Sequence, residues 1–113
     1  MVSVSLRIDL DPGRRIGPGK VALLEGIAEA GSIAGGARQM KMSYKRAWDL
    51  VEEMNGMFGR PVVETQAGGK SGGGAALTPA GEAIVRHFRA VERAAMLAAR
   101  KQMDALLAEL GDA

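Results

Sequence analysis

With 113 residues, 47% of them hydrophobic but only 4% aromatic, the chain can close one core, filled by aliphatic side chains and methionine. A formal net charge of +2 is too small by itself to name a polyanionic partner, and the absence of cysteine excludes disulfides, thiolate zinc sites and cysteine nucleophiles. No apolar run approaches the roughly 20 residues needed to cross a bilayer, and no basic stretch followed by an apolar one marks a signal peptide, so a cytoplasmic chain without a membrane partner is expected.

Val2, Val4, Leu6, Ile8 and Leu10 alternate with Ser3, Ser5, Arg7 and Asp9. This period of two predicts a half-buried strand over residues 1–10, stopped by Asp11-Pro12-Gly13. Three helices are predicted over residues 18–58. The first runs from Pro18 to Ala30, with Val21, Leu24, Ile27 and Ala28 as its apolar stripe and Gly31 at the position that favours a left-handed residue. Ser32 can cap the second, whose inward positions are Ile33, Ala37 and Met40. Gly35 and Gly36 inside it each cost about 0.5–1 kcal/mol against alanine, which points to close approach of a neighbouring backbone. Only Lys41-Met42 separates this helix from a third, capped by Ser43 and running to about Phe58, with Ala47, Leu50, Val51 and Met54 on one side.

Residues 61–77 read as a wing. Val62 to Thr65 and Ala75 to Leu77 can pair as a short hairpin around a loop that holds five glycines and Lys70. Gly69-Lys70-Ser71 resembles the end of a nucleotide-binding P-loop, but that motif would need glycine where Glu64 stands and a helix after Ser71. Thr78-Pro79 is a strong helix start: threonine caps, and proline fits the first helical position. A long helix is predicted over residues 78–110. Its seam is Ile84, Phe88, Val91, Ala95, Ala98, Met103, Leu106 and Leu110, longer than one small domain can cover, which predicts a dimerisation helix. The whole is mostly α with a small β-hairpin (α+β), a single winged helix-turn-helix domain.

Two short helices two residues apart, followed by a hairpin, form the arrangement that puts a helix end into a DNA groove. At the start of the third helix, free backbone N–H groups, the positive end of the helix dipole and the side chains of Lys45 and Arg46 converge. The expected DNA contacts are Ser32, Ser43, Tyr44, Lys45, Arg46 and Asp49, with Lys70 and Ser71 on the wing. The plainer reading of Lys45 and Asp49 is a surface ion pair four residues apart. Trp48 is expected to pack against a neighbouring helix rather than stack on a base. His87 has no second ligand at metal spacing, and no nucleophile–base pair can be read, so neither cofactor nor enzyme is expected.

Met42-Ser43-Tyr44-Lys45-Arg46-Ala47-Trp48, Glu53-Met54-Asn55, Val63-Glu64-Thr65, Gly68-Gly69-Lys70-Ser71-Gly72-Gly73-Gly74-Ala75 and Leu77-Thr78-Pro79-Ala80-Gly81 together resemble the DNA-binding domain of the ModE-type molybdate-responsive regulators. The likeness covers about Leu6 to Ala95. It implies a winged-helix homodimer, held by its first and last helices, on a palindromic operator of double-stranded DNA. Complete members carry a C-terminal pair of oxyanion-binding modules that senses molybdate. This chain ends near where those modules would begin, so sensing is expected to be lost or handed to a separate molybdate-sensing protein. Lys41 stands where the family's turn usually has glycine; a left-handed lysine there carries strain of order 1 kcal/mol. The reading is a sequence-specific transcriptional regulator linked to molybdate uptake or molybdoenzyme genes. Its rival is a winged-helix module that binds protein instead of DNA.

Overall fold

A computed structural model describes residues 2–69 and 72–111. Its elements follow one another as β1 (Ile8–Asp11), β2 (Arg14–Ile16), α1 (Pro18–Ala30), α2 (Ile33–Gln39), α3 (Tyr44–Phe58), β3 (Val63–Gly69), β4 (Gly72–Leu77) and α4 (Pro79–Ala108). β1 pairs antiparallel with β2, and β3 with β4, in two separate two-stranded sheets. This is the predicted α+β winged helix: α2 and α3 are the paired helices, β3–β4 is the wing, and a long helix closes the chain.

The core gathers between α1, α2, α3 and the base of the wing, around Val21, Leu23, Leu24, Ile27, Met54 and Val62. On α1 the buried face includes Leu23 and Gly26, whereas Ala28, expected in the apolar stripe, is exposed. The two glycines of α2 do mark a close crossing. A Cβ built on Gly36 would lie 2.6 Å from Cγ1 of Ile27 and 2.9 Å from its backbone nitrogen, and one on Gly35 would collide with the Cβ of Ala30. The helix propensity lost at these positions is therefore exchanged for tight packing of α2 on α1.

The N-terminal expectation needs correcting. Residues 2–7 alternate between half-buried and exposed as their pattern requires, but they pair with no strand. The strand begins at Ile8, which lies opposite Ile16, and Asp11-Pro12-Gly13 turns the chain into β2 instead of ending the sheet. The preceding arm runs back to α4, where the backbone N–H of Val4 donates to Sδ of Met96 at 3.2 Å. Alternation reports which side of an extended chain is covered. It does not report whether a helix or a strand covers it.

The wing lies within the predicted residues 61–77, but its strands are longer than expected. β3 continues to Gly69 and β4 starts at Gly72, with Val63 opposite Leu77 and Gln66 opposite Gly74, so most of the glycine tract is strand and not loop. The base of the wing is fixed on three sides. The N–H of Val62 donates to Oδ1 of Asn55 on α3 at 2.8 Å, and its carbonyl accepts from the N–H of Thr78 at 3.1 Å. The hydroxyl of Thr78 donates to the carbonyl of Pro61 at 2.7 Å and accepts from the N–H of Gly81 at 3.1 Å. A Cβ at position 81 would strike the carbonyl oxygen of Val62, so glycine permits this joint. The N–H of Ala75 donates to the carbonyl of Gly31, at the left-handed end of α1, at 2.8 Å.

α4 ends at Ala108, just short of the predicted limit, and none of the described helices is long and apolar enough to cross a membrane. Gly81 and Phe88 are its only buried residues. Phe88, expected at a dimer seam, is 2% exposed and belongs to this chain's own core, with Ile84 packed against that core. One ion-pair cluster ties α4 to α1: the guanidinium of Arg89 donates to both carboxylate oxygens of Glu25, at 2.7 and 3.2 Å, and to Glu92 at 2.7 Å. The hydrogen bonds to Glu25 first, and then to Glu92, raise its pKa further above the ordinary arginine value.

Candidate nucleic-acid interface

The turn that presents α3 is short and strained at one residue. Met40 closes α2, and Lys41 then adopts φ 57°, the left-handed region where a lysine side chain is unfavourable. The condition set by the sequence, a strained lysine in place of glycine, is therefore met. Ser43 resumes an extended backbone, and its hydroxyl accepts from the N–H of Arg46 at 3.0 Å. Ser32 does the same for α2, accepting from the N–H of Gly35 at 2.9 Å. Both serines spend their side-chain oxygens on capping, and each still has a hydroxyl proton to donate.

Tyr44, Lys45 and Arg46 are exposed on the first turn of α3, where the helix dipole adds positive potential. Nζ of Lys45 lies 2.8 Å from Oδ2 of Asp49, one turn on, so the surface pair weighed from the sequence does form. With side chains 84% and 52% exposed, the pair is worth little in water and does not remove Lys45 from reach of another anion. Arg46 has no carboxylate partner among the described residues. Lys70 and Ser71, the contacts expected on the wing, lie outside the described residues.

The sequence reading missed the third component of this surface. Between α2, α3 and the wing lies a notch of about 340 Å³, bordered by Ser32, Ile33, Tyr44, Trp48, Thr65 and Gln66. Trp48, expected to pack against a neighbouring helix, borders this notch instead: it is 37% exposed, lies outside the core, and its ring stacks on that of Tyr44 on its own helix. The available signal was the spacing of Tyr44 and Trp48, four residues apart on one helix face. Asn55 was also missed, although it fixes the wing against α3.

The comparisons with known proteins agree with this geometry. Over 80 residues, 71% of this chain and 30% of the other, the chain is 50% identical to the molybdenum-pterin-binding protein MopB of Rhodobacter capsulatus. Over 71 residues, 63% of this chain and 27% of the other, it is 45% identical to the DNA-binding transcriptional dual regulator ModE of Escherichia coli K12. Its homologues are the ModE regulators and their Mop relatives. The matches lie in the N-terminal ~70–80% of the chain, which itself spans about a third or less of these relatives' length. No family model matches it. Among solved structures, the DNA-binding domain of CbnR, crystallised with DNA, superposes with a TM-score of 0.59 at 21% identity, covering 77% of this chain and 94% of that one. That likeness shows the winged-helix fold and nothing further. Among the described residues, no group of three or more carboxylates or histidines could hold a metal ion.

Proposed function

We propose that this chain is the DNA-reading unit of a ModE-type transcriptional regulator, binding a palindromic operator as a homodimer and acting on genes of molybdate uptake or molybdoenzymes. One observation carries the reading: the cationic start of α3 stands exposed beside a wing whose base is hydrogen-bonded to α3, α4 and the end of α1. Such a frame holds helix and wing at a fixed separation, as a duplex with one groove width requires. Lys45 and Arg46 would meet base edges or phosphates, with Ser32 and Ser43 donating to backbone oxygens and Lys70 and Ser71 approaching the backbone from the wing. Asp49 would orient Lys45 or accept from a cytosine amino group. In this reading residues 1–113 work as a single domain in the cytoplasm, without a catalytic role.

The test is binding to duplexes selected from a random pool by the full chain. Replacing Lys45 and Arg46 together with alanine should weaken binding to the selected duplex by about 1–3 kcal/mol per lost base contact while the thermal melt is unchanged. Equal affinity for parent and double variant would refute the interface.

A second reading has one observation in its favour. Leu97, Leu106, Leu107 and Leu110 are 69%, 71%, 46% and 71% exposed along the outer part of α4 and just past its end. Leu106, Leu107 and Leu110 form an apolar stripe, with Leu97 on the opposite side of the helix, and the stripe suits another protein surface, either a second copy of the chain or a different protein. It is compatible with DNA binding at the other end of the molecule.

A further inference from the structure

The chain has four aromatic residues, one tryptophan, one tyrosine and two phenylalanines. Both phenylalanines serve the core: Phe88 lies within it and Phe58 packs against it. The other two stand together on the outer side of α3, Tyr44 55% and Trp48 37% exposed. Their ring centroids are 6.5 Å apart, with planes inclined by 18°. Neither ring belongs to the core or packs against it. They border the notch toward Thr65 and Gln66 of the wing, and Lys45 and Arg46 adjoin them on the same turn.

A duplex seated on α3 offers its major-groove edge to this face. That edge carries hydrogen-bonding groups on every base pair and only one apolar group, the C5 methyl of thymine. Cations beside an apolar ring therefore match phosphates or guanine next to a thymine methyl. A tyrosine ring presents rigid apolar area with few rotatable bonds, and stacking on Trp48 restricts it further before any DNA arrives.

We propose that Tyr44 reads thymine, its ring seated on the C5 methyl, and that Trp48 is the positioning residue that holds the ring in place. The inference rests on the DNA-binding reading and deepens it by naming the base read.

The experiment replaces each thymine of the selected duplex in turn by deoxyuridine, which deletes one methyl and leaves every hydrogen-bonding group. At one thymine in each half-site the parent should lose affinity about four-fold, the value of one buried methyl-sized group. Tyr44→Ala should bind the thymine and deoxyuridine duplexes equally, whereas Tyr44→Phe should keep the full four-fold difference. Trp48→Phe should keep most of it. Trp48→Ala should lose it with the helical circular dichroism unchanged, which separates positioning from unfolding. A parent indifferent to deoxyuridine at every thymine overturns the proposal. So does Tyr44→Ala retaining full sensitivity, or Tyr44→Phe losing as much as Tyr44→Ala, since the hydroxyl would then be the contact. If selection enriches no duplex, the regulator reading itself fails and this inference with it. A selected duplex without methyl sensitivity overturns the inference alone.

Discussion

From Pro79 to Val91, α4 lies against its own domain: Gly81 meets the carbonyl of Val62, Phe88 enters the core, and Arg89 grips Glu25 of α1. From Glu92 to Ala108 it has no buried residue, and Leu97, Leu106 and Leu107 face outward. Among the described residues, the short arm around Val4 reaches it, at Met96. A helix of 30 residues is about 45 Å long, most of the molecule's longest dimension of 57 Å, and it is buried only near its start, at Gly81 and Phe88. The seam steps by three and four residues from Ile84 to Ala98 and resumes at Met103 after a step of five. Helical periodicity marks a face that can be buried; the body that buries it differs between the halves. For the inner half it is this chain, and for the outer half, in our reading, a second copy.

The largest expected effect tests that contrast directly. Phe88→Ala should destabilise the fold by about 3–5 kcal/mol in urea unfolding, as large-to-small changes in a closed core do. Leu106→Ala, measured at a concentration low enough to keep the chain monomeric, should stay within about 0.5 kcal/mol of the parent. Comparable costs at the two sites would mean that the outer half is covered within the monomer after all.

Of intermediate size is the effect on assembly. Leu106→Glu combined with Leu110→Glu should leave the monomer's melt intact and weaken self-association at least ten-fold, about 1.4 kcal/mol, in sedimentation equilibrium. Affinity for a two-half-site duplex should fall in parallel, with little change on a single half-site. A variant that stays dimeric would remove the outer stripe from the interface.

The smallest effect belongs to the ion-pair cluster at the boundary between the halves. Arg89 and Glu25 side chains are 29% and 42% exposed, so solvent screens them, and Arg89→Ala should cost about 1 kcal/mol, less as salt is raised. The shift raises an already high pKa, so this contribution is present below the ordinary arginine value. It would fade only as pH rises through the raised one, and the difference between parent and variant should be flat from neutral to mildly alkaline pH. A difference that varied across that range would place another titrating group in the contact.

The same division separates what was legible in the sequence from what was not. Ser32, Ser43 and Thr78 cap as read, because a cap needs only an N–H three residues away on the same chain. The order of helices, the two-residue turn and the wing were legible for the same reason: each depends on dihedral preferences and periodicity within one segment. The strained turn at Lys41 was readable as a condition, since only a left-handed residue would be strained there. The tertiary structure decided the rest. Phe88 went to the core, the glycine tract paired as strand, Val4 met a helix and Leu6 the core instead of a strand partner, and Trp48 stayed half-open beside Tyr44. Each outcome depends on what lies across from the residue in space. A side chain's burial and a strand's pairing are properties of two surfaces, of which the local sequence writes only one.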